Sequence, residues 1–329
     1  MTHFGILAAA AVMAAGSAFG QHVISAKAGL IHYAEGEVLL GDKAIEQKPG
    51  EFKDMKVGDR LITREGRAEI LLTPGVTLRL AENSEVVMNS NKLSDIRFEI
   101  AAGSALIEAG EISKDTNIDV LLNGATVEVR KRGVFRLDAS TPPKVRVYDG
   151  EVTVTNVGAP LVVKEGREVL LAAVPVVDKF RKEETDSFVR WAGRRSGYLS
   201  AANMSAARYM RENNMNWQSA GWFYNPYMGM FTYLPFNGVY NNFWNHRYYS
   251  PRAVYSYTPS SMQPGGYDPN NIGGSRSPVD FGRSDIGSGG RAVYSAPSSV
   301  SSGGGMSGGG GAPAGGTSSQ TTGGASRGR

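Results

Sequence analysis

Few residues in this chain have types and spacings that could do chemistry. The four histidines, His3, His22, His32 and His246, are scattered, and no pair has the spacing of metal ligands. Cysteine is absent, which excludes thiol nucleophiles, thiolate metal sites and disulfides. Neither a Gly-x-Ser-x-Gly elbow nor a phosphate-binding Gly-x-x-x-x-Gly-Lys loop occurs. Acidic residues abound, but in the β-patterned region they alternate with apolar ones as solvated faces do, and nothing selects a glycosidase pair. These absences predict a chain that is not an enzyme and uses neither cofactor nor metal. The chemistry that remains is aromatic. Trp217 to Tyr257 contains 15 aromatic residues among 41. Such rings can stack on sugars, and Trp222, Tyr224, Tyr227 and Trp244 are the candidate ligand-binding positions. The other reading is that the block wraps the rest of the protein or pairs into small strands, burying its rings.

Those rings need a body to hold them, and residues 28 to about 173 supply one. Strand-like runs follow one another at Glu37–Leu40, Arg67–Thr73, Thr77–Leu80, Arg97–Ile100, Ser104–Glu108, Thr126–Arg130, Val134–Asp138, Lys144–Tyr148, Glu151–Thr155 and Arg167–Leu171. Alternation is strict in Thr126–Arg130, where every second residue would face a core. Asn123-Gly124 and Asp149-Gly150 have the composition of tight hairpin turns. Strand and turn recurring every 8–12 residues or so predict an all-β domain of stacked short strands, solenoid-like or sandwich in form. "EGEVLL", "EGRAEILL", "DGEVTV" and "EGREVLL" share an acid-Gly opening, at irregular spacing, and read as repeated use of a good turn opener.

From Asp178 the period becomes helical, with Asp178 a fair N-cap and Gly197 a fair stop; a second, weaker helix is expected over Ala201–Glu212. In the aromatic block, Pro226, Pro235, Pro251, Gly229 and Gly238 forbid long regular elements. Of the last 29 residues, 18 are Gly or Ser, a composition that predicts disorder. The expected organisation is a signal peptide over 1–20, an all-β domain over 21–175, a helical segment over 176–216, an aromatic-rich irregular region over 217–259 and a disordered tail over 260–329.

The signal peptide rests on the uncharged apolar run Phe4–Ala15 followed by Ala18-Phe19-Gly20, and predicts export to the periplasm, the cell surface or the exterior. No later stretch is apolar enough to span a bilayer as a helix. Charge divides the chain. Residues 187–329 hold 12 Arg, no Lys and 4 acids, or +8, leaving 23 basic and 27 acidic residues, or −4, in 1–186. The Arg-only part, with Arg247, Arg252, Arg276, Arg283 and Arg291 spread along it, could tether to an anionic envelope polymer or to the acidic front.

The run Val57-Gly58-Asp59-Arg60-Leu61-Ile62-Thr63, then Gly66–Leu72, Gly75–Leu80 and Ser84–Val86, resembles the FecR domain. So does the later pattern Val127-Glu128-Val129, Gly133–Leu137 and Val145–Val154. The following "DSFVRWAGRRSGYLSAANMS" is similar to C-terminal extensions of FecR-domain proteins. In the iron-uptake regulator that names the family, the domain lies in the periplasm, senses an outer-membrane receptor and signals to a sigma factor. The resemblance implies a non-catalytic protein-binding scaffold of the bacterial cell envelope. Alternatives are a polysaccharide- or peptidoglycan-binding module using the aromatic region, and a component of sigma-factor/anti-sigma signalling. Nucleic acid is not an expected partner.

Overall fold

The computed structural model describes residues 27–257. The expected signal peptide (1–20) and tail (260–329), with Arg276, Arg283 and Arg291, lie outside the described residues. The β body has sixteen strands. They are β1 (Leu30–Leu40), β2 (Lys43–Ala44), β3 (Lys53–Asp54), β4 (Arg60–Leu71), β5 (Val76–Leu80), β6 (Ser84–Lys92), β7 (Asp95–Ala102) and β8 (Ser104–Ala109). There follow β9 (Asn117–Leu122), β10 (Ala125–Val129), β11 (Gly133–Asp138), β12 (Lys144–Asp149), β13 (Glu151–Thr155), β14 (Leu161–Lys164), β15 (Arg167–Leu170) and β16 (Val176–Lys179).

Hydrogen bonds link them in the order β14-β13-β10-β9-β7-β6-β4-β5-β8-β11-β12-β15-β16, with β1 beside β4. Only β7 and β9 pair in parallel among the described strands. The long sheet folds over on itself. Ile70, Leu78, Ile107, Phe135 and Val145 from its second half share one apolar core with Val86, Phe98, Val120, Val127 and Val154 from its first. The all-β reading therefore takes its sandwich form, and each fully buried large side chain in it stabilises by roughly 1.5–3 kcal/mol.

The corners of the sandwich lie where the acid-Gly openings fall. The first half of β4 pairs with β6 in one layer and its second half with β5 in the other, and Gly66 lies between. β1 turns with it, placing Gly36 opposite Gly66. A Cβ on Gly36 would sit 2.2 Å from the Glu65 carbonyl oxygen and one on Gly66 2.6 Å from that of Glu35, so neither position has room for a side chain. Gly166, between β14 and β15, also marks a passage between layers. Asn123-Gly124 closes the β9–β10 hairpin as expected. Asp149-Gly150 does not close a hairpin: β12 pairs with β11 and β15, β13 with β10 and β14, and the dipeptide carries the chain across the sandwich. The four openings are corners, which local turn chemistry alone does not distinguish from hairpins.

One helix, α1 (Ser187–Glu212), replaces the two expected. Asp178 lies in β16, where it pairs opposite Glu168. The N-cap is Asp186, whose carboxylate accepts the Val189 N–H at 2.9 Å. Gly197 does not stop the helix; it gives His246 room to lie against the backbone, where a Cβ would meet the ring at 3.2 Å. Tertiary packing has overridden the weak local stop signal. The apolar start of α1, with Phe188, Val189, Trp191 and Ala192, packs on Leu106, Val134 and Tyr148 of the outer face of β8, β11 and β12.

The aromatic region is regular, which corrects the expectation of an irregular segment. β17 (Gly221–Asn225) pairs with β18 (Met230–Leu234), and β19 (Val239–Asn241) with β20 (Arg247–Tyr249). Pro226, Gly229, Pro235 and Gly238 sit between strands, so the breakers mark turns in short hairpins. A short helix, α2 (Val254–Tyr257), follows. Asn203 of α1 fastens both hairpins: its amide donates to the carbonyls of Tyr233 (2.8 Å) and Tyr249 (3.0 Å), and its oxygen accepts the Tyr249 N–H at 2.6 Å. Helix and hairpins form a third layer over β4, β5, β8, β11 and β12.

Candidate functional site

Beneath this cover lies a cluster of buried charges. Glu69 of β4 stands opposite Arg79 of β5, and Arg79 Nε donates to Glu69 Oε2 at 2.8 Å. Arg79 Nη1 donates to Oε2 of Glu108, on β8, at 2.7 Å. From α1, Arg195 Nη2 donates to Glu69 Oε1 at 2.9 Å and Ser196 Oγ to Glu108 Oε1 at 2.9 Å. Asn242, just after β19, donates to Glu108 Oε1 at 2.9 Å. Two carboxylates thus face two guanidiniums and the cluster is neutral overall. These positions alternate with core residues and read from sequence as a solvated face. That expectation fails because the polar face is covered by the chain's own helix and hairpins.

His32 of β1 completes the cluster. Its Nε2 accepts the backbone N–H of Phe231 in β18 at 2.9 Å, so the ring proton is on Nδ1, which donates to Glu69 Oε1 at 2.9 Å. Burial pushes the imidazole below its ordinary value, outweighing the pull of Glu69, and the ring is neutral. Burial alone would raise the Glu69 carboxyl, but Arg195, Arg79 and His32 together hold it well below the usual carboxylate range. The guanidiniums also lie against rings: Arg195 is 3.9 Å from the centre of Tyr33, and Arg79 is 5.9 Å from that of Trp244.

Every carboxylate oxygen in this cluster is engaged, no open face reaches a substrate, and the groups are arranged to hold layers together. Among the described residues, no group of three or more His, Cys, Asp or Glu is placed to hold a metal ion. Nor is any helix among them long and apolar enough to cross a membrane.

Residues 59–153 match the family model described as FecR protein. The β body carries a FecR domain. No curated protein matches the chain. Among solved structures, two crystal forms of a candidate anti-sigma factor from Parabacteroides distasonis ATCC 8503 are similar, each at 13% identity and a TM-score of 0.34. The similarity covers 40% of this chain and 63% of the first structure, and 49% and 75% for the second.

The FecR domain supplies Glu69, Arg79 and Glu108; their partners Arg195, Ser196, Phe231 and Asn242 come from beyond it. The sequence-derived rings do not gather at one place. Trp222 and Tyr224 flank Phe231 in a small apolar cluster with Phe52, Leu30 and Leu71, over the outer face of β4. Trp244 lies over Arg79 and against Gly193, where a Cβ would be 2.9 Å from the indole. Tyr227 is 77% exposed, edge-on to Tyr209. Sequence reasoning missed Tyr233, Tyr240 and Tyr248, which with Trp222 line one pocket together with Thr77, Glu108 and Leu199. A signal was present: in β18 and β20 alternate aromatics mark a ringed face, which only the hairpin pairing turns toward the FecR domain.

Proposed function

We propose that this chain is a non-catalytic binding module of the bacterial cell envelope, exported by its N-terminal apolar run, whose FecR domain engages a protein partner. One observation carries the reading: the face of the domain that bears buried charge is sealed by the chain's own cover, while a sheet edge next to it is left apolar and open. β16 pairs only with β15, all four of its residues are exposed, and Val176 and Val177 stand out from it. Val174 just before it is 75% exposed. An unpaired edge offers a row of N–H and C=O groups to an added strand, and valines give that strand something to pack on. The FecR match gives sigma-factor signalling as the setting in which such a partner would act.

Capture from a solubilised envelope extract tests this. The full chain should retain a specific protein, and the double variant Val176→Asp, Val177→Asp should release it while keeping the parent's circular dichroism. Capture of nothing specific, or equal capture by the variant, would reject the edge as the docking place.

A further inference from the structure

The pocket between the FecR domain and the hairpins has a chemistry of its own. Gly75 and Gly110 form a floor with no side chain, Thr77 and Glu108 stand on it, and Leu199, Trp222, Tyr233, Tyr240 and Tyr248 form the wall. Both glycines matter to its shape: a Cβ on Gly110 would lie 2.9 Å from the Tyr240 ring, and one on Gly75 3.3 Å from the Tyr233 ring. About 280 Å³ lies between the lining residues, open mouth included, and the innermost part takes only a water-sized group such as a methyl, hydroxyl or carbonyl.

Two polar atoms on this lining have no hydrogen-bond partner in the protein: Thr77 Oγ1, on a residue 4% exposed, and Trp222 Nε1. The indole N–H can only donate, and the threonine hydroxyl can do either. Glu108 is occupied by Arg79, Ser196 and Asn242, so the carboxylate does not call for a free cation. A matching ligand therefore carries an acceptor and a donor side by side on a small, neutral, methyl-capped group. It also presents a flat apolar face to the rings at the mouth. An acetamido group on a sugar ring has these features: its carbonyl accepts from Trp222, its N–H donates to Thr77, its methyl enters the recess, and the pyranose lies on aromatic faces.

We infer that this pocket binds an N-acetylated hexosamine unit of a glycan. The inference stands apart from the protein partner proposed above, since β16 contributes nothing to the pocket.

Calorimetric titration of the full chain with N,N′,N″-triacetylchitotriose, and with cellotriose as the same backbone lacking acetamido groups, tests it. Chitotriose should bind saturably and cellotriose at least about tenfold more weakly. Trp222→Phe keeps a ring and removes the N–H, and should weaken chitotriose about tenfold, the scale of one hydrogen bond. Thr77→Val should do the same. Equal binding of both sugars, unchanged affinity in Trp222→Phe, or no heat with chitotriose at millimolar concentration would each overturn the assignment. So would an acetylated dipeptide amide binding in place of the sugar. Because β16 variants leave the pocket intact, loss of protein capture and loss of sugar binding are separable results.

Discussion

The two layers of the sandwich carry similar sequence patterns and live in different surroundings. In β9 and β10 apolar residues alternate with Asp119, Thr126 and Glu128, and the polar set stays partly exposed. In β5 and β8 apolar residues alternate with Thr77, Arg79 and Glu108, and both faces are buried. On the open layer Arg130 reaches Asp119 at 2.5 Å with water at hand. On the covered layer Arg79 reaches Glu69 and Glu108 with its side chain wholly enclosed. Alternation therefore reports that a strand has two chemically different faces. What meets the polar face, water or another part of the protein, is decided elsewhere in the chain.

The largest test of this contrast removes one arginine from each layer. Arg79→Ala strands two buried carboxylates and should cost about 3–5 kcal/mol in urea unfolding. Arg130→Ala, on the open layer, should cost less than about 1 kcal/mol. Equal costs would erase the distinction between the layers. Next comes the fastening of the cover. Asn203→Ala leaves the Tyr249 N–H and two hairpin carbonyls without their partner, and should cost about 2–3 kcal/mol. Its signature is faster proteolytic cutting after residue 212 while the FecR domain resists; uniform cutting would place the weakness elsewhere.

Acid sharpens the comparison further. The His32 value is depressed in the folded protein, so the unfolded chain binds the extra proton first. Stability is complete above the ordinary value of 6.5 and falls as pH drops below it, toward the folded value. Protonation puts a donor on Nε2, facing the donor N–H of Phe231. Glu69, held low, keeps its charge through this window. A His32→Gln variant should lose the slope between pH 6.5 and the carboxylate range, and hydrogen exchange at Phe231 should show where the parent opens. The smallest effect belongs to the helix start, where Asp186→Ala removes the N-cap bond and should cost about 1 kcal/mol in thermal unfolding.

Much of the β body was legible because its signals are local. Ten strand runs and the Asn123-Gly124 hairpin follow from alternation and turn chemistry that act within a few residues. The helix start was misplaced because Asp178 and Asp186 are equal as caps, and only β15 draws Asp178 into a strand. The hairpins were hidden because Pro and Gly mark a turn and a disruption alike. The cluster was illegible for a stronger reason: Glu69, Arg79 and Glu108 have solvent-like local context, and nothing near them specifies Arg195 or Asn242. Trp222 was singled out as a ring, whereas Tyr233, Tyr240 and Tyr248 needed the hairpin register before they could be placed beside it.

The joining of His32 to Phe231 across 199 residues also has a meaning in time. A ribosome adding about 5–20 residues per second needs roughly 10–40 s between them. During that interval Glu69, Arg79 and Glu108 are already made, while Asn242, which lies 134 residues beyond Glu108, is not. Contacts so distant in sequence close late. For that period the face is the hydrated surface its alternation suggests, and its charges are available to whatever else the nascent chain meets. The cover arrives as a competitor for a surface that water has held since synthesis began.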